Sequence, residues 1–108
     1  MKSVKRYEIY WVNLEPTQGS EIKKNRPGVI VSPDELNERL DHITVVPITS
    51  TIRNVPFRYN VTLGKKQNQC ACEHIRTIDK KRLGRKIGTL TKKEREQLSQ
   101  ILQIMFAF

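Results

Sequence analysis

Apolar positions along this chain fall in short blocks separated by polar, turn-forming runs, and the spacing within most blocks predicts strands. Residues 7–14, with Tyr7, Ile9, Tyr10, Trp11 and Val12, are aromatic and β-rich with little helical periodicity, and predict a first strand. Residues 16–25 predict a loop, with Gly19 available for a positive φ. Residues 28–32 are short and nearly all apolar, the pattern of a strand buried on both faces. Ser32 then precedes Pro33, Asp34 and Glu35. A serine N-cap, a proline at the first helical position and acids in the first turn predict a helix over residues 33–40, with Leu36 and Leu40 inward.

A third strand, again of buried character, is predicted over residues 42–48, and an exposed polar loop over 49–56. Residues 57–63 alternate at period two, apolar in and polar out, and predict a further strand. A turn over 64–68 leads to an extended stretch over 69–78. The basic stretch 80–90 has Ile87 as its expected inward residue. Thr91 with Glu94 three residues later forms a capping box, and Leu98, Ile101, Leu102 and Met105 make one apolar stripe, so the chain closes in an amphipathic helix. Short strands followed by a terminal helix predict an α+β domain built on a small antiparallel sheet or barrel. At 108 residues the expectation is one domain, 1–108, without repeats or linker.

Charge narrows the partner. Twenty Lys and Arg against 11 Asp and Glu give a net charge of +9, which suits a polyanion: nucleic acid, an anionic membrane surface or an acidic protein. Solubility alone also accounts for such an excess. No run approaches the roughly 20 apolar residues that span a bilayer, and the basic N-terminus lacks a signal-peptide core, so a cytoplasmic protein is expected. The two cysteines, Cys70 and Cys72, are too close for a good disulfide and fit a reducing compartment. Cys70, Cys72 and His74 lack the ligand number and spacing of a structural zinc site, so buried, inert cysteines are expected and no metal or cofactor.

Several residues carry candidate chemistry. A turn-rich loop, Pro16-Thr17-Gln18-Gly19-Ser20-Glu21, brings one acid to Arg26-Pro27 and then the apolar run Val29-Ile30-Val31. A guanidinium fixed there recognises phosphate through paired donors; the other reading is an ordinary ion pair with Glu21 or Asp79. Thr49 and Ser50 end a buried strand with hydroxyls, which either stabilise a developing phosphorane oxygen or simply terminate the strand. Of the two histidines, His42 reads as a surface or capping residue. His74, flanked by Glu73 and Arg76, is the more suggestive. Lys23, Lys24, Arg53 and Arg58 lie on what read as solvated loops and strand faces, placed to track a single-stranded backbone, with Trp11, Phe57 or Tyr59 for base stacking. No nucleophilic triad, glycine-rich nucleotide loop or carboxylate cluster of a two-metal nuclease is present in the sequence.

Taken in order, these motifs resemble the MazF/PemK family of toxin endoribonucleases across nearly the whole chain. The matching features are the aromatic first strand, the Pro-Thr-x-Gly-Ser-Glu loop at 16–21, Arg26-Pro27 before a Val/Ile strand, and Pro47-Ile48-Thr49. Arg76-Thr77-Ile78-Asp79 with Leu83, and the closing amphipathic helix, complete the set. The resemblance implies an SH3-like barrel with a short helix after the second strand and a C-terminal helix, in a homodimer that binds single-stranded RNA. It implies a toxin of a toxin–antitoxin system, with sequence-specific, metal-independent cleavage to 2′,3′-cyclic phosphate and 5′-hydroxyl ends. It also implies an acidic cognate antitoxin that folds across the RNA groove, and no membrane. By the same resemblance Arg26 is the catalytic arginine, Thr49 stabilises the transition state, and Glu21 is the loop acid. A PemK-type arginine and aspartate are replaced here by Ala71 and Glu73, leaving Glu73, His74 and Arg76 as candidates for acid–base work or RNA contact.

Two readings from other classes compete. One is a same-fold, non-enzymatic toxin that binds DNA gyrase, which expects an aromatic–glycine–aliphatic C-terminus where this chain has Phe106-Ala107-Phe108. The other is a nucleic-acid-binding regulator without catalysis, which predicts salt-dependent binding and no cleavage.

Overall fold

The computed structural model describes residues 3–14 and 25–107. In chain order the elements are β1 (Glu8–Asn13), β2 (Asn25–Ile30), α1 (Asp34–Arg39), β3 (His42–Thr49), β4 (Arg58–Leu63) and β5 (Lys66–Ala71). They continue with β6 (Arg76–Asp79), β7 (Leu83–Thr89) and α2 (Lys92–Phe106), with short 3-10 turns at Cys72–His74 and Lys80–Arg82. The strands form one antiparallel sheet in the order β4-β5-β3-β2-β1-β7. β3 divides its outer edge: its first half, from His42 to Val45, pairs with β6, and its last two residues pair with β5. The result is an α+β half-barrel with a C-terminal helix.

Two-residue alternation in the central strands sorts their side chains into two cores on opposite faces. One face gathers Ile9, Val29, Val46, Ile48, Cys70 and Val61, and α2 closes it with fully buried Leu98 and the flanking Ile101, Leu102 and Met105. The other gathers Tyr10, Val12, Ile30, Ile43 and Val45, closed by Ile78 of β6 and Leu83 of β7. The stripe expected on α2 is therefore the one that packs. Its start is the expected capping box, with Thr91 Oγ1 accepting from Glu94 N at 3.2 Å and Glu94 Oε1 accepting from Thr91 N at 2.9 Å.

Four local expectations need correction. Helix α1 is capped by the backbone of Pro33, without a side-chain cap, and its leucines point outward: Leu36 and Leu40 are each 47% exposed. The buried residue is Asn37, whose Oδ1 accepts from Ser32 Oγ at 2.6 Å and whose Nδ2 donates to the Ser32 carbonyl at 2.9 Å. Ser32 is thus occupied by a buried polar pair, and its hydroxyl also accepts from Thr44 N at 3.0 Å. Ile87, expected inward, is exposed because Ile9 pairs with Gly88 while Tyr10 pairs with Lys86, so Ile87 is the extra residue of a β-bulge. The turn at 64–68 is tighter than expected, since β5 begins at Lys66, and Asn68 and Gln69 are buried. The extended stretch over 69–78 is broken by the 3-10 turn at Cys72–His74.

Candidate active site

The register of the sheet lines up a polar row where β2 begins and β3 ends. Val12 of β1 pairs with Arg26 of β2. The paired β2–β3 residues end at Gly28 opposite Pro47, and continuing that register by two residues puts Arg26 level with Thr49. Thr49 pairs with Gln69 of β5, and Gln69 with Asn60 of β4. Alternation puts the whole row on the face that carries Val12 and Val45, so an apolar face ends in four consecutive polar positions. Two of them are deeply buried, Thr49 at 4% and Gln69 at 6% exposed. Burying polar groups on an otherwise apolar face is costly unless each is bonded, and here each is.

Gln69 is the hub. Its Oε1 accepts from Arg53 N at 3.0 Å and from Arg58 Nη1 at 3.2 Å. Its Nε2 donates to the Arg53 carbonyl at 3.2 Å and to Asn60 Oδ1 at 3.0 Å. Two donors on one side and two acceptors on the other fix the amide orientation. Thr49 Oγ1 accepts from Thr51 N at 3.1 Å, which leaves its own hydrogen to donate.

Arg58 lies one row away, opposite Ala71, and was expected on a solvated face. Its side chain is only 6% exposed, because its guanidinium forks onto Glu73 through Nε and Nη2 at 2.6–3.1 Å and reaches the Thr51 carbonyl at 3.3 Å. Burial pushes the Glu73 carboxyl up, but the Arg58 hydrogen bonds and charge, with His74 nearby, bring it below the ordinary 4.5. An ionised carboxylate tied to a guanidinium is a poor proton donor, so this geometry argues against Glu73 as the general acid. His74 Nε2 stands 3.9 Å from Glu73 Oε2.

Arg76, paired with Val45, is on the same face as the row, and its Nη1 donates to the Leu14 carbonyl at 3.4 Å. Asn13, the last residue of β1, pairs with Asn25, the first of β2 and the neighbour of Arg26. Glu21, Lys23 and Lys24 lie outside the described residues. Ser50 and Arg53 are exposed on the segment after β3, and Arg53 is held there by its backbone. Arg26 itself is half-buried at the start of β2. Cys70 and Cys72 are buried free thiols, and among the described residues no group of three or more His, Cys, Asp or Glu converges as a metal site. Gln69 and Asn60 were not anticipated; a glutamine between Asn68 and Cys70 carries no local signal that it will be buried.

The chain matches, over residues 5–106, the family described as PemK-like, MazF-like toxin of type II toxin–antitoxin system. It belongs to that family. It is 40% identical to the endoribonuclease MazF9 of Mycobacterium tuberculosis over 94% of each chain. The fold of this MazF-like toxin is similar to a MazF crystal structure from Deinococcus radiodurans, with a TM-score of 0.86 at 21% identity over all of both chains. It is also similar to a mycobacterial endoribonuclease solved with its cognate antitoxin, with a TM-score of 0.77 at 19% identity over 96% of this chain and 93% of that one. The half-barrel described above is thus a MazF-type fold.

Proposed function

We propose that this MazF-like toxin is an endoribonuclease that cleaves single-stranded RNA at the row running from Arg26 through Thr49. The observation that carries the reading is that row: a buried hydroxyl with a hydrogen to donate at the end of β3, level with the Arg26 cation of β2 when the β2–β3 register is continued by two residues. Family membership and a 40% identical relative named as an endoribonuclease support it.

The chemistry is transesterification. The 2′-oxygen of a ribose attacks the adjacent phosphorus, its proton passes to a base, and the P–O5′ bond breaks as the 5′-oxygen takes a proton. Negative charge builds on the non-bridging oxygens, where Arg26 supplies paired donors and Thr49 one more. Holding ribose and phosphate in line contributes further. His74 and the loop acid Glu21 are the titratable groups proposed to handle the protons, with Arg76, Lys23, Lys24, Ser50 and Arg53 holding the RNA. The reaction needs no metal in this scheme, since the guanidinium and the hydroxyl supply the charge stabilisation.

A homodimer and an acidic antitoxin are proposed as partners, both acting in the cytoplasm. The net charge of +9 suits an acidic chain laid over the RNA-binding surface, and a neighbouring structure of this fold was solved with its cognate antitoxin. Among the described residues no helix is long and apolar enough to cross a membrane.

The test is incubation of purified protein with a long unstructured RNA in excess EDTA, beside Arg26→Ala and Thr49→Ala. Discrete cleavage with 2′,3′-cyclic phosphate ends, lost in both variants, is expected. Intact RNA on several substrates would overturn the nuclease reading and leave gyrase binding or nucleic-acid binding without cleavage to be examined.

A further inference from the structure

We infer that Gln69 and Arg58 are positioning residues, a latch that pins the segment after β3 and so aims the Thr49 hydroxyl at the reacting phosphate. The inference rests on the nuclease reading above and adds a role for residues outside its chemistry.

The direction of the Thr49 hydroxyl depends on where Thr51 N sits, because Oγ1 accepts from that amide. Thr51 and Arg53 belong to a segment without regular secondary structure whose residues, from Ser50 to Pro56, are all exposed. No strand ladder holds it. Its hydrogen bonds run instead to side chains: Gln69 brackets Arg53 by accepting from its N–H and donating to its carbonyl, as a neighbouring strand would. Arg58 donates to the Thr51 carbonyl and to Gln69 at once, and Glu73 fixes the guanidinium. Each latch residue stands on a strand, Gln69 on β5 and Arg58 on β4, so the exposed segment inherits the rigidity of the sheet. A site that must place a donor to within a fraction of an ångström is well served by such support, and small misplacements of a reacting group cost about 100-fold in rate.

Two variants test this. Gln69→Met keeps an unbranched chain of similar length and removes all four hydrogen bonds of the amide. Arg58→Lys keeps a charge for Glu73 but loses the planar fork that reaches Thr51 and Gln69 together. Single-turnover cleavage of an RNA oligonucleotide carrying the mapped cleavage site is measured for each variant, alone and combined with Thr49→Ala. Amide hydrogen exchange at Thr51 and Arg53 is followed by NMR on the same proteins.

Gln69→Met is expected to lower the single-turnover rate constant at saturating enzyme by about 30- to 100-fold with the half-saturating concentration within about 3-fold, since a positioned donor acts on the transition state. Arg58→Lys is expected to give a smaller loss in the same direction and stands in if Gln69→Met does not fold. The double variant Thr49→Ala/Gln69→Met should fall within about 3-fold of Thr49→Ala alone, because the latch acts through that hydroxyl. Losses that multiply would overturn the latch, as would unchanged exchange at the Thr51 and Arg53 amides. Absence of cleavage by the wild type, or full activity of Thr49→Ala, would instead overturn the nuclease site itself, whatever the exchange rates show.

Discussion

Arg58 of β4 and Glu73 of the 3-10 turn after β5 meet in a forked ion pair. Nε donates to both carboxylate oxygens, at 3.1 and 2.9 Å, and Nη2 donates to Oε2 at 2.6 Å. The two ends of the pair differ in environment: the arginine side chain is 6% exposed and the glutamate 36%. That asymmetry makes the pair a support for the buried cation more than a surface contact. Removing the glutamate leaves a guanidinium short of its main partner in a place where water reaches it poorly.

The pair therefore predicts an acid-labile contribution to stability. The folded Glu73 pKa lies below the ordinary 4.5, so its stabilisation is present above that value and is lost as pH falls through the folded pKa. Glu73→Gln should cost about 1 kcal/mol at pH 7, allowing for solvent screening at the glutamate, and the gap to wild type should narrow as the pH is lowered below 4.5 through the folded pKa. Urea unfolding of both proteins at pH 7 and across a series of more acidic buffers measures it. Glu8 is also held below its ordinary pKa: burial raises it, but hydrogen bonds from Lys86, Lys5 and Tyr10 outweigh that. Its contribution is common to both proteins and cancels in the comparison. A gap independent of pH would contradict the assignment.

Gly28 leaves room for a neighbour that no larger residue permits. A Cβ on Gly28 would stand 2.8 Å from Val12 Cγ2 and 3.8 Å from Val45 Cβ. Val12 is buried and stiff about χ1, so it has little freedom to yield. Gly28→Ala should destabilise by about 1–3 kcal/mol through overpacking. Adding Val12→Ala removes the clashing methyl groups, so the double variant should lose less than the sum of the two single losses. Chemical denaturation of the four proteins gives the coupling directly, and a strictly additive result would place the strain elsewhere.

The cysteines should be silent in the native protein. Burial raises the Cys70 thiol above the alkaline range used for labelling, and Cys72 is pushed up to about 12, chiefly by burial and then by the Glu73 charge. The thiolate is the reactive species, so both sites should resist iodoacetamide at pH 8 and react together only on unfolding. Mass spectrometry before and after adding guanidinium counts the modified sites. Rapid native labelling of either one would mean that the α2-covered core opens more readily than its packing implies.

What the sequence could say about this fold depended on whether the signal was local. The capping box at Thr91 and Glu94 and the stripe from Leu98 to Met105 are spacing rules of a single helix, and they appear as read. Leu36 and Leu40 obeyed the same spacing, yet α1 has only six residues and buries Asn37 instead, because Ser32 bonds its side-chain amide twice and Lys80 Nζ donates to its carbonyl, with Thr44 N holding the Ser32 hydroxyl in turn. Nothing within the helix announces such partners. Ile87 lost its expected place to a bulge defined by β1, which the β7 residues do not encode alone.

The candidate site divides along the same line. Arg26 and Thr49 were legible because each sits in a recognisable motif at a strand end. That Thr49 shares one transverse row with Gln69 and Asn60, and that the continued β2–β3 register brings Arg26 level with it, are properties of strand pairing, visible only once the sheet is assembled. Arg58 shows the limit most plainly. Its charge read as a solvated face, and only pairing with Ala71 and the turn that follows brought Glu73 over it.

The exposed end of α2 bears on self-association. Leu98 is fully buried while Ile104, six residues on, is 65% exposed and Phe106 is 67% exposed. For an isolated chain, Leu98→Ala should cost about 2–5 kcal/mol, whereas Ile104→Asn should change stability by no more than about 0.5 kcal/mol. A second copy covering this end would alter that contrast, since the surface would then be core in solution. Thermal unfolding of both variants at low and high protein concentration, with sedimentation in parallel, separates the cases. If the proposed homodimer forms through this end, Ile104→Asn should destabilise only at concentrations where the wild type associates, and should weaken association itself. A concentration-independent, near-neutral effect in a protein that still sediments as a dimer would place the proposed contact on another face of the half-barrel.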